Sequence, residues 1–245
     1  MRIVVIIPSR YGSSRFEGKP LAMITGKPMV QYVYESASRA ERISEVVVAT
    51  DDQRIFDEVT RFGGNAMMTS SSHRSGSDRV AEAADRMGLE PDDIAINVQG
   101  DQPLVQPGCF DAVVEPLLED PQLGMSTLAF QIEDPQEYTN PKDCKVVMDR
   151  NSYALYFSRA PIPLARDGGN DFPIYKHLGV YAYTRRFLDT FNRLPRGRLE
   201  QIEKLEQLRV LESGHRIKVV ITPFDSPEVD LPDDIARIEK MVTSA

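Results

Sequence analysis

Cysteine is scarce in this chain. Cys109 and Cys144 are its two cysteines, and they form neither a Cys-x-x-Cys pair nor a zinc-ligand spacing. They suit a reducing compartment as small buried side chains, and neither has a neighbouring base that would support covalent catalysis. Long apolar runs are missing as well. None approaches membrane-spanning length, and apolar residues 1–7 are too few for a signal-peptide core with its flanks, so a cytoplasmic protein without membrane contact is expected. There is no basic excess: the formal net charge is −8, which excludes a global positive field for nucleic acid. An acidic chain still binds anions when its cations gather in one cleft. The sequence holds no P-loop, no Gly-x-Gly-x-x-Gly, no Ser-His-Asp pattern, no repeat, no low-complexity tract and no clear interdomain linker.

What is present alternates. Apolar runs at 3–7, 46–50, 65–69 and 94–98 read as strands. Helical patterns at 29–37, 53–62, 78–87 and 107–119 follow them, with Ser77 as a candidate N-cap of the third. This order argues an α/β fold with a mainly parallel central sheet and helices on both faces. The second half is mixed. Strands are expected at 125–131, 144–148, 154–157, 177–183 and 217–222, a loop at 159–176, and helices near 185–193, 199–213 and 232–242. A chain of 245 residues suits one large domain or two small ones.

The stretch between the first strand and the first helix is the most informative. Arg10, Arg15 and Lys19 are interleaved there with Gly12, Ser13, Ser14 and Gly18. Small residues let backbone N–H groups approach a ligand, and the cations supply charge, which is what a triphosphate requires. Its place at the carboxyl end of the first strand is where open α/β sheets bind ligands.

This loop, Ile7 to Leu21, is followed by further blocks: Val98-Gln-Gly-Asp101, Ala154-Leu-Tyr-Phe-Ser-Arg159, His177-Leu-Gly-Val-Tyr181, Leu205-Glu-Gln-Leu-Arg209 and Glu228-Val-Asp230. In this order, over almost the whole chain, they resemble the sugar-acid cytidylyltransferases. The resemblance implies a nucleotide-diphospho-sugar transferase-like fold in one nucleotidyltransferase domain, 1–245. An inserted mixed-sheet region, about 125–215, would contribute sugar binding and a homodimer interface. It implies transfer of CMP from CTP to the anomeric hydroxyl of a 3-deoxy-octulosonic sugar acid, with release of pyrophosphate, for lipopolysaccharide biosynthesis. An 8-amino form of the acceptor is the alternative, given Gln102 and the short loop after Arg166. A non-catalytic nucleotide-binding regulator is a remoter one, disfavoured because Asp101, Asp230 and Lys19 are all present.

Asp101 directly follows an apolar strand, where a carboxylate is poorly placed for the core and well placed for a cleft; it could equally cap a turn. The resemblance makes Asp101 and Asp230 ligands of Mg²⁺, although Asp230 could also cap the last helix. Lys19 and Arg15 are expected on the leaving pyrophosphate and Arg10 near the α-phosphate, with Ser13 in the same loop. Arg74 and Gln99 are candidates for the cytosine edge. Arg159 offers a planar fork for the sugar carboxylate, and His177 a donor to a carboxylate or hydroxyl, with Tyr181 on the same strand face. Glu206 and Gln207 fall in a helical block, and the resemblance assigns them to sugar hydroxyls. Two positions depart from the family pattern: Gln102, where Glu is usual, and Glu17, which sets an anion in the phosphate loop and is expected to point away.

Overall fold

The computed structural model describes residues 1–13, 15–73, 75–168 and 172–244. The first half runs β1 Ile3–Ser9, a 3₁₀ turn at Lys19–Leu21, β2 Met23–Ile24, β3 Lys27–Pro28, α1 Met29–Ser38, β4 Glu45–Thr50, α2 Gln53–Arg61, β5 Ala66–Met68, α3 Gly76–Arg86, β6 Ile94–Val98 and α4 Pro107–Glu119. The second half continues with β7 Met125–Gln131, α5 Pro135–Thr139, β8 Lys145–Met148, β9 Ala154–Ser158, β10 Tyr175–Thr184, α6 Arg185–Arg193, α7 Arg198–Glu203, α8 Leu208–Glu212, β11 Lys218–Ile221 and α9 Asp234–Ser244.

One sheet holds most strands, in the order β11-β7-β10-β6-β1-β4-β5, with β8 and β9 branching from β10. The β6-β1-β4-β5 strands are parallel, as is β11 to β7, whereas β10 runs antiparallel to both neighbours. All seven residues of β1 are buried. Ile3, Val5 and Ile7 face a core layer shared with α1, α2 and α4. Val4 and Ile6 face the opposite layer with Val80 of α3 and Phe191 of α6. Period-two alternation with both faces covered explains the unbroken apolar run and the mainly parallel α/β sheet.

This topology gathers loops. The carboxyl ends of β1, β6, β7 and β11 open at the same edge as the amino end of the reversed strand β10. Residues 10–13, 15–19, 99–102, 175–177 and 222–230 therefore meet there.

Local chemistry moves several expected boundaries. The N-cap of α3 is Ser75 instead of Ser77. Ser75 Oγ accepts from Asp78 N at 3.2 Å and Asp78 Oδ2 accepts from Ser75 N at 3.1 Å, a reciprocal box that Ser77 could not close. The expected helix over 199–213 is two short helices, broken where Lys204 takes a left-handed φ of 56°. β10 begins at Tyr175, inside the expected loop, because Lys176 pairs with Phe130 and Lys145 on its two sides. The hairpin β2–β3 and the short helix α5 were not expected.

Candidate active site

The loops enclose a cleft of about 1090 Å³. It is lined by Arg10, Ser13, Arg15, Lys19, Gln99, Asp101, Arg159, His177, Tyr181, Glu206, Gln207 and Asp230, which are all the expected site residues except Arg74. Arg74 lies outside the described residues.

Three chain segments build the charged end. Gly18 adopts φ 69°, donates its N–H to the Tyr11 carbonyl at 2.9 Å and starts the 3₁₀ turn that presents Lys19. A Cβ at Gly18 would lie 3.1 Å from the Tyr11 ring, so glycine is required there for both conformation and space. The Tyr11 ring is covered on its other side by the Arg54 guanidinium, 3.2 Å from its centroid. Glu17 is exposed and is not among the residues that line the cleft. Lys19 Nζ contacts Asp101 Oδ2 at 2.5 Å, donates to the Val229 carbonyl at 3.0 Å and lies 3.9 Å from Asp230 Oδ1. Arg15 pairs with the same Asp230 oxygen at 3.0 Å. Two carboxylates from opposite halves of the chain thus converge on one ammonium. Asp230 does not cap α9: its own N–H, like that of Leu231, donates to Asp234 at 2.9 Å.

A divalent cation fits these residues. Asp101 Oδ1 is buried without a partner, and Asp101 and Asp230 present hard oxygen atoms beside a phosphate-binding loop. Among the described residues no group of three His, Cys, Asp or Glu side chains forms a ready-made cage. The donor set is therefore that of Mg²⁺ held by one or two carboxylates together with substrate phosphates.

Next to the cations, Gln99 Nε2 donates to Asn97 Oδ1 at 3.3 Å, and the side chain flanks the start of α3. A Cβ on Gly76 would lie 3.5 Å from Gln99 Nε2.

His177, Tyr181, Glu206 and Gln207 line another part of the cleft. His177 Nε2 lies 2.9 Å from Thr127 Oγ1, whose hydroxyl is 2.8 Å from the Val180 carbonyl. Thr127 has one proton, and the carbonyl can only accept it. His177 therefore donates from Nε2 and keeps Nδ1 as an acceptor. The donor expected of His177 thus serves a hydroxyl within the protein, that of Thr127, and Nδ1 is the ring atom left as an acceptor. Burial pushes its pKa down to about 3, so the ring is neutral. The His177 and Tyr181 rings lie 5.2 Å apart on the same face, as the alternation implies. Tyr181 Oη donates to Gln207 Oε1 at 3.0 Å. Glu206 accepts from Ser77 Oγ at 2.8 Å, and burial raises its pKa, opposed by that bond and by Arg209. Glu206 and Gln207 do not sit on a continuous helix. They occupy the turn between α7 and α8, where the break at Lys204 directs them into the cleft.

Arg159 is anchored by backbone. Its Nε donates to the Glu203 carbonyl at 2.9 Å and its Nη1 to the Pro141 carbonyl at 2.9 Å. These contacts occupy Nε and Nη1, so only part of the fork remains for a ligand.

Glu228 was missed by the sequence reading as a site residue. Its side chain is open to the cleft, where it accepts from Gln102 Nε2 at 3.1 Å. Its depth in the protein, followed by the charge of Asp101, pushes its pKa up to about 7, against the opposing Gln102 bond. A signal existed. In extended Glu228-Val-Asp230 the outer residues share a side, while Val229 is fully buried on the other.

The pattern describing the cytidylyltransferase family matches residues 4–217. The chain is 62% identical over 244 residues to the 3-deoxy-manno-octulosonate cytidylyltransferase of Desulfosudis oleivorans, covering 100% of this chain and 98% of the relative. It is 57% identical over 240 residues to the 8-amino-3,8-dideoxy-manno-octulosonate cytidylyltransferase of Shewanella amazonensis, covering 98% of each. A solved CMP:2-keto-3-deoxy-manno-octonic acid synthetase complexed with CTP superposes with a TM-score of 0.93 at 40% identity, covering 100% of this chain and 99% of that one. Over its whole length the chain therefore belongs to the cytidylyltransferase family and is a nucleotidyltransferase.

Proposed function

We propose that the protein joins CMP from CTP to the anomeric hydroxyl of 3-deoxy-manno-octulosonate, releasing pyrophosphate, in the cytoplasmic supply of sugar for lipopolysaccharide. The observation that carries this reading is the convergence of Arg15, Lys19, Asp101 and Asp230 in one cleft that His177, Tyr181, Glu206 and Gln207 also line. The sugar oxygen attacks the α-phosphorus in line, a new P–O bond forms, the bond to the β-phosphate bridging oxygen breaks, and the hydroxyl proton leaves to solvent. Lys19 and Arg15, held in place by carboxylates, stabilise charge on the departing pyrophosphate, and Arg10 and Ser13 contact the nucleotide phosphates. Gln99, with Arg74, reads the cytosine edge.

Asp101 and Asp230 would hold Mg²⁺. When bound, the ion supplies neutralising charge and lowers the pKa of the attacking hydroxyl. Arg159 holds the sugar carboxylate through its remaining donors. His177 Nδ1 accepts from a sugar hydroxyl, while Glu206 and Gln207 orient the others.

Region 125–215 contributes the sugar site and the interface of a homodimer. No helix among the described residues is long and apolar enough to cross a membrane.

A second acceptor is favoured by a specific observation: relatives named for the 8-amino sugar acid match nearly the full chain at 57% identity. Pyrophosphate release measured with CTP, Mg²⁺ and each sugar acid in turn tests the proposal. Turnover with 3-deoxy-manno-octulosonate is the expected result. Turnover with the 8-amino acid alone would move the assignment to that acceptor, and release with neither would reject both.

A further inference from the structure

Gln102 and Glu228 form a pair for which the mechanism above has no use. Gln102 is fully buried, yet its Nε2 reaches Glu228 Oε1 at 3.1 Å and its Oε1 is left buried without a partner. The amide orientation is set by this contact, because the reverse flip would oppose two oxygen atoms. Space for the pair comes from β10. A Cβ at Gly179, within the register shift between Leu178 and Tyr181, would lie 3.2 Å from Gln102 Nε2 and 3.5 Å from Glu228 Oε1. Glu228 shares a recess with Arg15, Lys142, Arg159, Asp101 and Asp230, forms an ion pair with none of these cations, and is acted on electrostatically by Asp101, Asp230 and Lys19. One carboxylate therefore lies at the cation end of the cleft, facing open space, held by a neutral donor and paired with no described cation.

We infer that Glu228 is a third carboxylate serving the divalent cation–triphosphate site, and that Gln102 is the residue that positions it. The inference rests on the metal assignment proposed above. Glu228 acts at the outer layer of the site, since the described residues hold no three-carboxylate cage. An amide at position 102 suits this role. It anchors one carboxylate oxygen without adding charge, whereas glutamate at 102 would oppose a second carboxylate at hydrogen-bond distance.

The test is Mn²⁺ binding, followed by electron paramagnetic resonance in the presence of CTP and without sugar acid, together with thermal melting. Wild-type protein should bind Mn²⁺. E228Q should melt normally but bind Mn²⁺ about 10-fold more weakly, the scale of outer-layer losses at metal sites. Q102L should show a smaller loss of the same kind. Q102E should melt at lower temperature without metal. The exchanged variant Q102E/E228Q should regain stability, because one amide again faces one carboxylate, while Mn²⁺ binding stays weak, because the charge facing the cleft has moved into the core. Unchanged Mn²⁺ affinity in E228Q, or full recovery of affinity in the exchanged variant, overturns the inference and leaves the metal assignment standing. Absence of Mn²⁺ binding in wild type overturns both.

Discussion

Lys19 and Asp101, 82 residues apart in sequence, are joined by a contact of 2.5 Å in which each side chain is mostly shielded from water. The proposed phosphate-binding cation is thus held by a proposed metal ligand before any substrate arrives. Nucleotide and metal arriving together can separate this pair without isolating either charge, because the phosphates take the ammonium and the metal takes the carboxylate.

Lys19→Ala should lower kcat by roughly 10²–10³-fold, the usual cost of deleting one donor aimed at developing charge. Asp101 would also lose its counter-ion, so the same variant should bind Mn²⁺ more tightly than wild type. Steady-state kinetics and metal titration on one preparation check both effects. Unchanged kcat in a folded variant removes Lys19 from the mechanism.

Asp101→Asn and Asp230→Asn should each abolish most turnover, and the double variant should be little worse than either. Groups that act as one unit are non-additive in this way. Excess Mg²⁺ or Mn²⁺ should partly restore the single variants. If Asp230→Asn keeps near-normal kcat and metal dependence, Asp101 alone serves the metal.

Arg159→Ala should raise KM for the sugar acid and leave CTP affinity nearly intact. Arg159→Lys should recover little, since an ammonium cannot span the Glu203 and Pro141 carbonyls and still present a donor to the ligand. Separate calorimetric titrations with CTP and with sugar acid decide this. Loss of CTP binding with sugar binding retained would contradict it.

His177 gives a pH dependence with a definite sign. Its folded pKa of about 3 lies below its ordinary value of 6.5, so between these limits the unfolded chain binds the extra proton. Above about 6.5 the residue contributes no pH dependence, and from there down to about pH 3 it progressively destabilises the fold. His177→Asn should flatten this part of the stability profile in denaturant titrations. An unchanged slope would show that the ring is not held neutral.

Much of this was legible in sequence because it follows from local pattern. Both-face burial of β1 appears as an unbroken apolar run, and the cation-and-glycine loop after it marks the phosphate end. What escaped depends on partners distant in sequence. The acceptor state of His177 comes from Thr127 and the Val180 carbonyl. The helical propensity of 199–213 conceals the break at Lys204 that turns Glu206 and Gln207 into the cleft. The role of Ser77 is set by Glu206, 129 residues away. Gln102 appeared only as a lost carboxylate until its contact with Glu228 was visible.

The contact between Lys19 and the Val229 carbonyl spans 210 residues and bears on synthesis. Translation delivers the phosphate loop among the first segments of the chain, and the ribosome must finish nearly all the rest before Asp230 emerges beside it. The parallel strands β1, β4 and β5 can pair long before then. A chain that stops short of residue 229 lacks both the Val229 carbonyl and Asp230, and so cannot complete the charge cluster around Lys19 and Arg15.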